Sequence, residues 1–231
     1  MLAGAAALAS AIPGAAQDLA NPRSEFSDKL PPQVWIAKTE RTERGHKIGN
    51  PEAGTQLIEF ISYTCGHCAD FAKQSDGTLD LLGVGPGRIA VEVRPVIRNY
   101  LDLVVTMLAQ CGEPKGFKDR HRAFLYAQDD WLSKAINAPQ SQQAIWARGD
   151  ANARKNAANA LGLDDLVLAK GLTASQINTC LADDAAAQAL LANGRADRTE
   201  FGITGTPTFA LNGETLEGVH DWPSLSQVLQ K

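Results

Sequence analysis

The stretch Leu57-Ile58-Glu59-Phe60-Ile61-Ser62-Tyr63-Thr64-Cys65-Gly66-His67-Cys68-Ala69-Asp70-Phe71-Ala72-Lys73-Gln74 decides how the chain is read. Its first five residues form a short apolar run that predicts a strand, and the residues after Cys68 predict a helix. Cys65 and Cys68 therefore fall at a strand-to-helix turn. The species that attacks a disulfide is a thiolate, so this chemistry needs one thiol with a lowered pKa and a second thiol to resolve the mixed disulfide. Two intervening residues let both roles fit one helical turn. The helix start supplies partial positive charge to Cys65, and His67 supplies more when protonated. Cys65 is expected to attack and Cys68 to resolve.

Working outward, the helix is predicted over Phe71 to Leu82, closed by Gly83, Gly85, Pro86 and Gly87. The alternating, β-branched run Arg88 to Arg94 predicts a second strand, giving a βαβ unit with the dithiol at its first turn. Glu59 interrupts a strand that such a unit buries on both faces. A carboxyl buried there has a raised pKa and can pass a proton to or from Cys68, unless its side chain reaches solvent at the sheet end.

The rest of the chain divides around this unit. Residues 17–50 carry Pro22, Pro31, Pro32 and a charged run from Lys38 to Lys47, and read as a lead-in with one short strand at Gln33-Val34-Trp35-Ile36. Residues 51–98 hold the βαβ unit. Residues 99–193 turn to Ala, Leu, Gln, Asp and Asn with helical periodicity, where Leu103, Met107, Leu108, Phe117, His121, Phe124 and Leu125 read as core faces. Residues 194–231 return to strands, with Asn212-Gly213 marking a hairpin and a short amphipathic helix from Asp221 that tolerates Pro223 in its first turn.

With 231 residues, 44% hydrophobic, 21% charged and a formal net charge of -4, the chain can bury a core and offers no basic field for a polyanion, so nucleic acid is excluded as a partner. Met1 to Ala16 is apolar, ends in small residues and resembles a secretory signal, although no Lys or Arg precedes its apolar stretch; a plain Ala-rich tail is the alternative. Later stretches fall short of the roughly 18 apolar residues of a spanning helix. The expectation is a soluble, exported protein, and four cysteines in such a chain favour disulfide chemistry. A single Cys-x-x-Cys is also half of many zinc sites, but no second pair exists and His46, His121 and His220 lack zinc-like spacing. No metal and no cofactor are expected. Cys111 and Cys180 fit a structural disulfide worth ~4 kcal/mol in the chain-entropy model, with two buried thiols or a second redox pair left open.

Residues Glu59 to Cys68, the helical block and Gly205-Thr206-Pro207-Thr208-Phe209 together resemble the DsbA family of thiol-disulfide oxidoreductases: an α/β thioredoxin fold with an inserted α-helical domain. The resemblance spans about residues 49–231. It implies that Pro207 is cis and lies beside the cysteines, that the Thr206 backbone pairs with a substrate chain, and that Glu59 is the family's buried acid. Gly66-His67 departs from the best-known DsbA oxidases and is similar to the pair in protein disulfide isomerase; Thr206 resembles the isomerase and reductase branches. The function expected is a periplasmic oxidase that introduces disulfides into unfolded or reduced exported proteins and is reoxidised by a membrane partner resembling DsbB. The rivals are an isomerase or reductase using the same site, and, in another class, a holdase or metal-sequestering binding protein.

Overall fold

The computed structural model describes Met1 and residues 34–230. The leader expected at 1–16 and most of the lead-in lie outside the described residues. The chain enters as a four-residue helix α1 (Val34–Ala37), then runs β1 (Thr39–Arg41), β2 (His46–Gly49), β3 (Thr55–Ile61), α2 (Gly66–Leu79), a π-helical turn (Asp80–Val84) and β4 (Ile89–Pro95). The helical block follows as α3 (Tyr100–Ala109), α4 (Phe117–Tyr126), α5 (Gln128–Ile136), α6 (Gln140–Trp146), α7 (Ala151–Leu161), α8 (Leu163–Leu168), α9 (Ala174–Ala182) and α10 (Asp184–Glu200). Strands β5 (Thr208–Leu211) and β6 (Glu214–Thr215) and helix α11 (Trp222–Leu229) complete it.

The sheet has the order β1-β2-β4-β3-β5-β6. Among the described strands only β3 and β4 run parallel, paired from Thr55 with Ile89 to Ile61 with Pro95, as a βαβ crossover through α2 requires. β5 pairs antiparallel with β3, setting Phe209 opposite Glu59 and Thr208 opposite Phe60. The central position of β3 explains its apolar composition: Leu57, Phe60 and Ile61 are almost fully buried.

Two expectations for residues 33–50 are corrected. Residues Val34 to Ile36 form α1, not a strand, because Trp35 and Ile36 close over the turn before β4, in contact with Gly87 and Gly85. A three-residue apolar run carries no period that separates strand from helix. The charged run beyond it is no mere lead-in: β1 and β2 form an antiparallel hairpin, and β2 pairs with β4. Its solvent-rich edge position accommodates Glu40, Arg41 and Lys47. At the bend, Gly45 lies so close to the Val93 carbonyl that no Cβ fits.

α3 joins sheet and helices. Every residue from Leu101 to Ala109 is buried, so this helix is enclosed on all sides. The core faces expected at Met107, Leu108, Phe117, His121, Phe124 and Leu125 pack here. The last helix of the block, α10, continues through residue 194 to Glu200, and Gly194 lets it approach the backbone of Val96 and Ile97. Cys111, just past α3, is bonded to Cys180 of α9, with S–S 2.10 Å.

Candidate active site

Cys65 is the N-cap residue of α2 and Cys68 lies in its first turn, with the Cys68 and Ala69 N–H groups donating to the Cys65 carbonyl at 3.1 and 3.3 Å. Both thiols are free; Cys68 is fully buried, while Cys65 keeps 7% of its surface. That sliver faces a cleft of about 500 Å³ whose walls include Thr64, Gly66, His67, Arg98, Arg198 and Thr206.

The peptide bond between Thr206 and Pro207 is cis. The loop brings the Thr206 carbonyl to 3.1 Å from the Cys65 Sγ, which donates to it when protonated. The Thr206 hydroxyl, buried with no other partner among the described residues, stands ready to donate to a Cys65 thiolate. Pro207 is buried, and its carbonyl shares a hydrogen bond of 3.0 Å with His220 Nδ1. The main-chain N–H of Thr206 has no partner among the described residues, because β5 starts only at Thr208.

The two cysteines are pushed in opposite directions. The hydrogen bond from Cys68 lowers the Cys65 thiol most, and Thr206 and the backbone N–H groups of Cys68 and His67 add to it against the cost of burial, leaving Cys65 at about 4. Burial first, then the hydrogen bond that Cys68 donates to Cys65 and the negative charges of Cys65 and Glu59, raise Cys68 far above the ordinary thiol range. His67 contributes through its backbone; its imidazole lies exposed at the cleft.

Glu59 is 6% exposed in mid-strand. Burial first, and Asp76 next, push its carboxyl up to about 8, opposed by Arg122. It lines a cavity of about 30 Å³ together with Asp76, Lys118, His121 and Arg122, polar and just large enough for a water molecule.

Several residues that build the site carried no mark in the sequence. The Asp102 carboxylate, 1% exposed, accepts from Ser62 Oγ at 2.8 Å, Thr64 N at 2.9 Å and Arg98 N at 3.0 Å, which fastens the β3–α2 loop to the β4–α3 loop. Asn99 caps α3 through Leu101 N and Asp102 N and donates to Thr64 Oγ1 at 2.8 Å. Gln128 donates to the carbonyls of Tyr63 and Cys65, at 2.6 and 3.0 Å, from the start of α5. His121, read only as part of a core face, also shares a 2.9 Å hydrogen bond between its Nδ1 and the Tyr63 hydroxyl. Polar residues spread over three helices, α3 with its cap, α4 and α5, leave no local pattern, so only the capping position of Asn99 was open to detection. Among the described residues no group of three His, Cys, Asp or Glu side chains gathers as a metal site, and no helix is long and apolar enough to cross a membrane.

A family model described as Thioredoxin matches residues 41–231, and the chain belongs to that family. Within it the fold is DsbA-like. The crystal structure of a protein-disulfide isomerase from Novosphingobium aromaticivorans is similar at 35% identity and TM-score 0.75, over 80% of this chain and 95% of that one. Wolbachia pipientis alpha-DsbA1 shares the fold at TM-score 0.64 and 19% identity, over 80% of this chain and 88% of that one. A relative from Rickettsia typhi, named "Putative protein-disulfide oxidoreductase RT0103", is 27% identical over 171 residues, 74% of this chain and 55% of its own. The chain spans little more than half the length of that relative.

Proposed function

We propose that the chain is a periplasmic thiol-disulfide oxidoreductase that introduces disulfides into exported proteins. The observation that carries this reading is the polarised pair: an accessible Cys65 held at about 4 beside a buried Cys68 held high. Stabilising the Cys65 thiolate stabilises the reduced enzyme, and a dithiol whose reduced form is favoured is an oxidant. A substrate thiolate attacks Cys65 Sγ of the Cys65–Cys68 disulfide; that bond breaks, and Cys68 leaves with the electron pair and takes a proton from Glu59. The second substrate thiolate then attacks its own sulfur in the mixed disulfide and expels Cys65 as a thiolate. The substrate has lost two electrons and the enzyme has gained them, to be passed to a membrane partner of the DsbB kind. Thr206 offers its free N–H to the substrate backbone, and Pro207 holds that loop against Cys65. The Cys111–Cys180 bond is structural in this scheme.

An isomerase or reductase role at the same cysteines is the second reading. It is favoured by Gly66-His67 and Thr206, and by the 35% identity to a structure titled protein-disulfide isomerase. A redox titration of Cys65–Cys68 separates the two. A potential of about -120 mV supports the oxidase and one of about -270 mV the reductase, while a value of roughly -180 mV fits an isomerase as well. Failure of the oxidised protein to introduce disulfides into a reduced, unfolded substrate overturns the oxidase, and recovery of activity from a scrambled substrate installs the isomerase.

A further inference from the structure

The cleft beside Cys65 is unlike the rest of the molecule. The protein as a whole is acidic, with 26 Asp and Glu against 22 Lys and Arg, yet among the described residues no carboxylate lines this cleft and two guanidinium groups do. Arg98 is exposed in the β4–α3 loop, its backbone fixed by Asp102, and Arg198 stands partly buried in the last turn of α10. Elsewhere the described arginines, Arg195 apart, each donate to or pair with a carboxylate or a carbonyl of the chain. Arg98, Arg195 and Arg198 have no such acceptor among the described residues. Two of those three uncommitted cations therefore look onto the one reactive sulfur.

We infer that Arg98 and Arg198 form an acidic-side-chain subsite, so that the cleft selects polypeptide segments in which Asp or Glu flanks the reacting cysteine. Arginine is suited to this because its planar fork binds a carboxylate through two parallel N–H donors and stays charged at every relevant pH. A polypeptide fits better than a small acidic thiol, because the unpaired Thr206 N–H lies on the same cleft and offers a main-chain partner. The two arginines act on attraction and orientation, and the exchange itself remains with Cys65, so the inference rests on the thiol-disulfide reading of that residue.

The test uses the oxidised full chain and three reduced single-cysteine peptides with the cysteine flanked by Asp, Gln or Lys. Each second-order rate is divided by the rate of the same peptide with hydroxyethyl disulfide, which removes the effect of the flanking charge on the peptide thiol itself. At low ionic strength the Asp peptide should exceed the Lys peptide by about tenfold or more, a preference that shrinks in 0.5 M salt as the charges are screened. In R98Q/R198Q the ratio should fall to within about twofold, and in R98K/R198K part of it should return, since the charge stays while the fork is lost. A general effect of the arginines on the Cys65 thiolate moves all three peptides together and leaves the ratio unchanged. Equal rates in the unaltered protein, or a ratio that survives in R98Q/R198Q, overturn the subsite. A protein whose oxidised form exchanges with none of the peptides, and whose reduced form does not exchange with hydroxyethyl disulfide, sinks the reading of Cys65 and the subsite with it.

Discussion

Cys65 and Cys68 occupy one helical turn, and what separates them is chiefly the direction of a single hydrogen bond and the depth of burial. Because Cys68 is the largest contributor to the low pKa of Cys65, replacing it by alanine should raise the Cys65 midpoint from about 4 by about one unit or more. Thiolate absorbance at 240 nm against pH measures this, and an unchanged midpoint would mean that Thr206 and the helix-start N–H groups suffice without the Cys68 thiol. Glu59 makes a separate prediction. Its pKa is raised from 4.5 to about 8, so between those values the folded chain keeps a proton that the unfolded chain releases, and stability falls as pH rises. Glu59→Gln should remove that slope and stabilise the protein at pH 8 by roughly 2–4 kcal/mol. It should also slow exchange through Cys68 by about tenfold or more, because the buried leaving thiolate loses its proton donor. Urea melts across pH 4–9 and single-turnover kinetics read the two effects separately. The carboxyl itself was legible in the sequence as an acid inside an apolar strand; its ionic neighbours Asp76, Lys118 and Arg122 were not, since on helices they look like ordinary surface charges.

At the scale of elements, the parts that could be read were those whose own period is strong. β3, α2 and β4 announce themselves through apolar runs and glycine-rich punctuation, and Asn212-Gly213 fixes the β5–β6 turn. β1 and β2 could not be read, because an edge hairpin of charged residues meets its partner only in three dimensions, through Ile48 opposite Val91 and His46 opposite Val93. Asp102 was hidden for the opposite reason: an acid in the first turn of a helix passes for a dipole partner, whereas it ties together the two loops that flank Cys65. Asp102→Ala leaves the Thr64 and Arg98 N–H groups without that acceptor. It should cost about 2–3 kcal/mol and reduce exchange at Cys65 more than it reduces helix content, which stopped-flow assays and circular dichroism measure. The disulfide between α9 and the end of α3 pins the helical block, and its partners are 69 residues apart. Replacing Cys111 and Cys180 by alanine should cost up to ~4 kcal/mol, lowering the chemical-denaturation midpoint while the Cys65–Cys68 potential stays nearly unchanged. A large change in potential would show that the second pair belongs to the redox machinery.

At the scale of the whole molecule, the proposed redox role of Cys65 predicts a difference in stability between the two redox states of the chain. In the reduced chain, folding moves the Cys65 thiol from 9.0 to about 4. A thiol whose folded pKa is depressed stabilises the folded state fully above its unfolded value and loses that contribution as pH falls through the folded one. At pH 7 most of the stabilisation is present. Discounted for solvent on the open side of the cleft, it is about 1–3 kcal/mol, or about 3–10 °C in Tm for a chain of this size. The oxidised chain has no thiolate at Cys65 and lacks this contribution, so the reduced protein should melt higher than the oxidised one at pH 7. The gap should close as pH approaches 4 and widen again toward pH 8. Local cross-linking by the Cys65–Cys68 disulfide works against this difference, but it closes a loop of only a few residues and restrains the unfolded chain less than the long-range Cys111–Cys180 bond does. Paired melts of the two redox forms between pH 4 and 8 make the measurement. A higher Tm for the oxidised form at pH 7 would mean that the disulfide is the favoured state, and the electrons would then flow from this protein to its substrates.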